Sequence, residues 1–194
     1  ARCGEEGGIA HGARDEPREC AETRHRGEEA PAGFEDFLAL EAGGWKGRNG
    51  TAILNSPRDA AFMRDAVAGL ARDGGVEIFV LRLDGTPVAA ALVLRSGREW
   101  WFLKIAYDED HARAGPGARI AHEVTLAMLA EPGIAFGDSC VLRGGGMLEG
   151  AWTDQREIVD VMVGLRPAAD AAFTVAVGAE RLRRAVRGTV KTVW

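Results

Sequence analysis

Residues 103–124 read LKIAYDEDHARAGPGARIAHEV, and this stretch decides the fold. An apolar strand ends in Tyr107 and Asp108. A short polar turn follows, then Gly115-Pro116-Gly117-Ala118, then a helix. A glycine-rich turn at a helix start exposes free backbone N–H groups, and the helix dipole favours an anion there. The turn is therefore a candidate seat for a phosphate or pyrophosphate. A proline-containing helix start accounts for the same residues on geometry alone.

Upstream of this stretch lie the strands that lead into it. Val76 to Leu83 is β-branched or aromatic in part, and Asp84-Gly85 is a strong hairpin turn. Val88 to Leu94 returns, Ser96-Gly97 turns again, and Trp100 to Ala106 is the third strand of an antiparallel meander. Its middle strand is rich in alanine, so something packs very close to it. Ser56-Pro57 opens a helix as N-cap and first residue. Ala61, Phe62, Ala66, Val67 and Leu70 form its expected apolar stripe, and Gly74-Gly75 ends it. An earlier helix carries Phe34, Phe37, Leu38 and Leu40 and stops at Gly43-Gly44. Trp45-Lys46-Gly47-Arg48-Asn49-Gly50-Thr51 then reads as a loop with an aromatic, two cations and several glycines. Such loops often bind something. Trp45 anchoring the loop to the core is the other reading.

Downstream, Ile120, Val124, Ala127 and Met128 mark the buried face of a helix over 116–129. Strands are expected over 134–142 and 158–165, separated by Gly144-Gly145-Gly146 and Trp152-Thr153-Asp154. A long helix is expected over 168–190. Residues 1–31 are rich in Gly, Glu and Arg without periodicity and are expected to be weakly ordered. Residues 32–194 form the expected domain. The order predicts an α/β (α+β) fold, a mixed and largely antiparallel twisted sheet flanked by helices.

Composition narrows the partners. The chain has 194 residues, 46% hydrophobic and 27% charged, which is ordinary for a globular domain. A formal charge of −5 argues against nucleic acid. No apolar run reaches membrane-spanning length, so no membrane insertion is expected. No leader pattern is present, and a cytoplasmic location is expected. The chain begins without Met, which leaves room for a missing N-terminal domain. Cys3, Cys20 and Cys140 form no CxxC pair or zinc spacing, so no metal is expected. His111 follows Asp108, Glu109 and Asp110, where a solvated acidic turn is favoured over a metal site. Arg181, Arg183, Arg184, Arg187 and Lys191 give the last helix a basic face, either solvated or open to an acidic protein partner.

Several ordered motifs now combine: Gly44-Trp45-Lys46-Gly47-Arg48 with Gly50-Thr51, Leu81-Arg82-Leu83-Asp84-Gly85, Leu103-Lys104, Ala106-Tyr107-Asp108-Glu109, Pro116-Gly117, Gly144-Gly145 and Trp152-Thr153-Asp154. Together they resemble the acetyltransferase domain of bacterial CelD/BcsL-type proteins, a family linked with cellulose and other exopolysaccharide production. That family has the GNAT-like acyl-CoA N-acyltransferase fold and is related to the FemABX peptidyl transferases. The resemblance runs from about Phe34 to the C-terminus.

The resemblance implies acyl transfer from acetyl-CoA or another acyl-CoA to an amine or hydroxyl of a sugar or polysaccharide-related acceptor. It implies that Arg113, Gly115, Pro116, Gly117 and Ala118 hold the pyrophosphate. The pantetheine arm would lie between the third meander strand and the strand at Ile134, which splay apart in this fold. Tyr107 would protonate the leaving thiolate or orient the acceptor, and Asp108, with Glu109 second, would be the base. Lys104 would pair with Asp154 or reach an acceptor's phosphate. Trp45 and Lys46 would line the acceptor side.

Two positions depart from the family. Its usual Asp/Glu-Pro-Tyr-Lys run is absent, and Glu149 stands where the lysine would be, on the substrate side. Arg113 lies only two residues before Gly115, one short of the usual spacing. The anion at Glu149 keeps open a catalytically degenerate module that binds acyl-CoA or a polysaccharide-synthase partner. A FemABX-like transfer from charged tRNA is the third reading, and the acidic balance counts against it.

Overall fold

The computed structural model describes residues 19–141, 151–157, 159, 161–163 and 171–191. The chain divides into two units, Ala1–Thr153 and Asp154–Trp194. The first holds a five-stranded sheet in the order β1-β2-β3-β4-β5. Its strands are β1 (Cys20–Arg26), β2 (Val76–Leu83), β3 (Thr86–Ser96), β4 (Glu99–Tyr107) and β5 (Phe136–Asp138). The first four pair antiparallel, and β5 runs parallel to β4. The sheet is thus mixed and mostly antiparallel, as expected.

Helices cover both faces. On one face lie α1 (Ala30–Gly43) and α3 (Pro57–Arg72), joined through the short α2 (Trp45–Arg48). Phe34, Phe37 and Leu38 of α1 pack with Val67 and Ala71 of α3 against Ile78, Val80, Ala90 and Leu92. On the other face α4 (Pro116–Ala130) lays Ile120, Ala121 and Val124 against Phe79, Ala89, Ala91, Trp100 and Phe102. The alanines of β3 therefore sit between helices on both sides, which explains their size. Asp84 and Gly85 both have positive φ, 50° and 80°, the geometry of a tight mirror-image hairpin turn. The Ser56 side chain accepts a hydrogen bond from the Asp59 N–H and caps α3, as expected.

Five expectations need correction. Cys20–Arg26 lies within the segment expected to be weakly ordered, yet it pairs with β2 along its whole length. The buried stripe of α3 is Ala60, Val67 and Ala71 with Met63 beside it, whereas Phe62 is 67% exposed. Val67 of the expected stripe does face the sheet, whereas Ala61, Phe62 and Leu70 are exposed, so the expected stripe is only partly in phase with the buried face. The loop at Trp45 contains a helical turn, α2. The strand expected over 134–142 is paired only at Phe136–Asp138. Of the strand expected over 158–165, the described residues Val159, Val161, Met162 and Val163 are not in a strand, and the rest lie outside the described residues.

The second unit holds α5 (Ala171–Lys191), close to the helix expected there. Its Glu180 accepts from Arg183 and Arg184, which lower its carboxyl to about 2. Among the described residues no helix is long and apolar enough to cross a membrane.

Candidate active site

Two features of β4 shape the site. The first is a bulge. Leu92 faces Lys104 and Val93 faces Phe102, so Leu103 is the extra residue. A bulge re-aims every side chain beyond it. Trp100, Phe102, Ile105 and Tyr107 all pack on the α4 side, and Ala106 packs on the α1 side. Lys104 also turns to α1, where it meets Glu41. The second feature is an open edge. β5 pairs only with Glu99, Trp100 and Trp101. Beyond Trp101, β4 has no partner on that side among the described residues, the divergence expected of these two strands.

After β4 the chain makes a 3-10 turn, Glu109–Ala114, and enters α4 at Gly115. Gly115 is the N-cap with φ +65° and offers no side chain to cap the helix. Pro116 has no N–H, so the amides of Gly117 and Ala118 are the first-turn donors left for an outside acceptor. Pro116 and Gly117 are buried, and Ala118 and Arg113 are exposed. An uncapped helix N-terminus of this kind fits a phosphate.

Asp108 and Glu109 prove to be structurally engaged. The Asp108 carboxylate accepts from the Asp110 N–H at 3.0 Å and lies 3.0 Å from His111 Nδ1. A carboxylate on Nδ1 orients an imidazole and leaves Nε2 free for proton transfer, a role the sequence did not suggest for His111. Glu109 accepts from the Trp45 N–H at 2.7 Å and from Arg48 at 2.5 Å. The Arg48 bond, then the Trp45 N–H, lower its carboxyl below the ordinary value. Glu109 thus ties α2 to the end of β4 and is poorly suited as a base.

Trp45 is 52% exposed, so it is not a core anchor. Gly47 lets α2 close on α1, since a Cβ there would meet the Ala42 carbonyl oxygen at 1.8 Å. Trp45, Lys46, Glu41, Ile105, Tyr107 and Glu109 line a small cavity of about 30 Å³. Beside it lies a hollow of about 410 Å³, whose lining includes Asp36, Arg48, Asp108, Glu109 and Asp110. The Tyr107 hydroxyl makes no hydrogen bond among the described residues. Trp152 is structural, its indole N–H donating to Thr125 Oγ1 at 3.0 Å. Glu149 and Gly144-Gly145-Gly146 lie outside the described residues.

The partner of Lys104, left open by the sequence, is Glu41. This α1 carboxylate is 2% exposed. Its Oε1 accepts from Lys104 Nζ at 2.8 Å and Lys46 Nζ at 3.2 Å. Its Oε2 accepts from the Ile53 N–H at 2.9 Å. Burial pushes the carboxyl up, but the Ile53 N–H, Lys104 and Lys46 outweigh it and leave it below the ordinary value. The sequence did hold a signal for Glu41. It continues the helical stripe Phe34, Phe37, Leu38 that faces the core.

The fold has counterparts among solved structures. A possible acetyltransferase from Clostridium difficile 630 superposes with a TM-score of 0.53 at 13% identity, covering 74% of this chain and 97% of that one. An aminoglycoside acetyltransferase from an uncultured soil metagenomic sample, solved with trehalose, gives 0.50 at 14% identity, covering 76% and 97%. At these identities the likeness is one of fold. No curated protein matches the chain. The family model described as an acetyltransferase (GNAT) domain matches residues 11–140, well over half of the sequence. The chain belongs to the acetyltransferase (GNAT) domain family.

Proposed function

We propose that this chain is an acyl-CoA-dependent acyltransferase that moves an acetyl group onto a sugar or polysaccharide-related acceptor. One observation carries the reading: an uncapped α4 N-terminus follows directly on a β4 whose edge is open beyond Trp101. The amides of Gly117 and Ala118 would take the pyrophosphate, with Gly115 and Pro116 shaping the turn and Arg113 adding charge. The open edge of β4 would accept the pantetheine arm. Acetyl-CoA supplies the activated thioester carbonyl.

The remaining work is positioning and proton transfer. Tyr107, whose hydroxyl makes no hydrogen bond among the described residues, would give a proton to the departing sulfur. Asp108 would act through His111, whose Nε2 would take the acceptor's proton. Trp45 and Lys46 would border the acceptor. The carboxylates around the larger hollow favour an amine over an anionic group there. The ordered motifs support a place among CelD/BcsL-type proteins, and a cytoplasmic site of action goes with that reading.

A calorimetric titration with acetyl-CoA tests it, with Gly117→Glu as control. Saturable binding in the wild type, lost in the variant, is expected, because the variant puts charge and bulk at the phosphate seat. Binding that survives Gly117→Glu would remove the phosphate assignment. Binding without thiol release across an acceptor panel would favour the non-catalytic module that the Glu149 replacement suggests.

A further inference from the structure

Lysine is scarce in this chain, with three residues beside 21 arginines. Two of the three, Lys46 and Lys104, end on the same oxygen of Glu41. Among the described residues of the sheet unit, arginine and not lysine pairs with Glu35, Asp36, Glu77, Glu109, Glu123 and Glu131. A lysine can give up its proton and become a nucleophile, whereas an arginine stays charged.

That difference matters beside an acetyl thioester. Lys46 lines the same small cavity as Tyr107 and Trp45. A free amine there competes with the acceptor. Its Nζ lone pair would attack the thioester carbonyl carbon, a C–N bond would form and the C–S bond would break. The proton lost from nitrogen would leave on the coenzyme A thiol, so acetyl-CoA is the only co-reactant. An ammonium bound to a carboxylate has no lone pair to offer until it parts from that carboxylate and loses a proton.

We propose that Glu41 is a positioning residue that keeps Lys46, which lines the cavity, and Lys104, which shares the same carboxylate oxygen, as carboxylate-bound ammonium groups and so reserves the site for the acceptor. The proposal rests on the acetyltransferase reading above. The Glu41 side chain has no exposed surface, so water does not replace its partners. The Ile53 N–H fixes one oxygen and leaves the other to face both lysines. Lys46 is tied a second time, donating to the Ile105 carbonyl at 3.4 Å. The cluster joins α1, α2 and β4 and carries one net positive charge.

Limited acetylation with acetic anhydride tests the hold without coenzyme A. Peptide mass spectrometry reads Lys46 and Lys104 separately, with free Nα-acetyl-lysine in the same solution as reference. In the wild type both should label about tenfold or more slower than the free amino acid, a protection that charge-assisted hydrogen bonds can supply. Glu41→Gln should erase that protection and Glu41→Asp should restore most of it. Labelling of both lysines at the rate of the free amino acid in the wild type, or unchanged protection in Glu41→Gln, overturns the proposal. If Glu41→Gln does not fold, the wild-type ratio and Glu41→Asp decide.

Incubation with acetyl-CoA is the second arm. Glu41→Gln should acquire an acetyl group on Lys46 or Lys104 that the wild type does not. No transfer in a variant that calorimetry shows to bind acetyl-CoA overturns the reserving role. If the wild type itself binds no acetyl-CoA, the acetyltransferase reading fails instead, and the anhydride ratios alone decide the hold of Glu41.

Discussion

Among the described residues of the sheet unit two glutamates are buried, and they are buried differently. Glu41 on the α1 face is 2% exposed and Glu77 on the α4 face is 1% exposed. Glu77 has the larger retinue, with Arg24, Arg26 and Arg95 around it. Those arginines also serve Glu131. Burial pushes the Glu77 carboxyl up, Arg26 and Arg95 pull it back, and Glu131 adds to the push, so it ends above its ordinary value. Glu41 has two lysines and the Ile53 N–H to itself, and it ends below its ordinary value. The number of cations near a buried carboxylate is therefore a poor guide to how well its charge is held. How deeply the carboxylate is buried and whether a backbone N–H holds it weigh most, and a second carboxylate sharing the cations adds to the difference.

The largest expected effect breaks or keeps that ranking directly. At pH 7, Glu41→Gln should lower unfolding free energy by about 3–5 kcal/mol, the usual cost of removing one partner from a buried ion pair. Glu77→Gln should cost clearly less, because Glu131 remains to serve the three arginines. Urea denaturation of both variants measures the difference. A Glu77→Gln penalty equal to or larger than that of Glu41→Gln would reverse the ranking.

The same pair should respond to acid in opposite directions. Glu41 titrates lower in the folded chain than in the unfolded one. It contributes stability above its unfolded value, and that contribution is lost as pH falls through the folded value. The penalty of Glu41→Gln should therefore shrink in acid. Glu77 titrates higher when folded, so the folded state holds its proton more tightly. Its contribution is present below the unfolded value and is lost as pH rises through the folded value. The penalty of Glu77→Gln should therefore be larger in acid than at pH 7. Each effect is a fraction of the whole penalty, and parallel pH slopes for the two variants would refute the contrast.

The sequence foretold the two neighbourhoods unequally. Lys46, Lys104 and Tyr107 stood out because a cation or a lone tyrosine in or beside an apolar strand asks for a reason. Glu41 did not, because a glutamate near the end of a helix reads as solvated until the phase of Phe34, Phe37 and Leu38 is carried one turn further. The bulge at Leu103 left no trace in composition. Strict alternation puts Lys104 on the face of Trp100 and Phe102, and only the pairing with β3 reverses it. β1 was illegible for a related reason. CAETRHR carries no apolar period, since the strand is specified by backbone pairing to β2 and by arginines that answer Glu77 across the sheet. The helix starts and the Asp84-Gly85 turn were legible because capping and turn chemistry are local.

The smallest expected effect concerns why arginine, and not lysine, surrounds Glu77. Arg95 reaches Glu77 Oε1 at 2.9 Å with one nitrogen and Glu131 with another. Its guanidinium lies 5.3 Å from the Trp100 ring centroid, and Arg24 lies 5.1 Å from it. The Trp100 indole N–H has no hydrogen bond among the described residues, and the two guanidinium groups lie against its ring. A lysine at position 95 keeps the charge but cannot bridge two carboxylates with a planar fork or stack on the indole. Arg95→Lys should cost about 1–2 kcal/mol in urea denaturation and leave acetyl-CoA binding unchanged. A neutral result would mean that Glu77 is served as well by single ammonium donors of the kind Glu41 has in its lysines. The two sites would then differ in their sharing of partners and not in the chemistry of the cations.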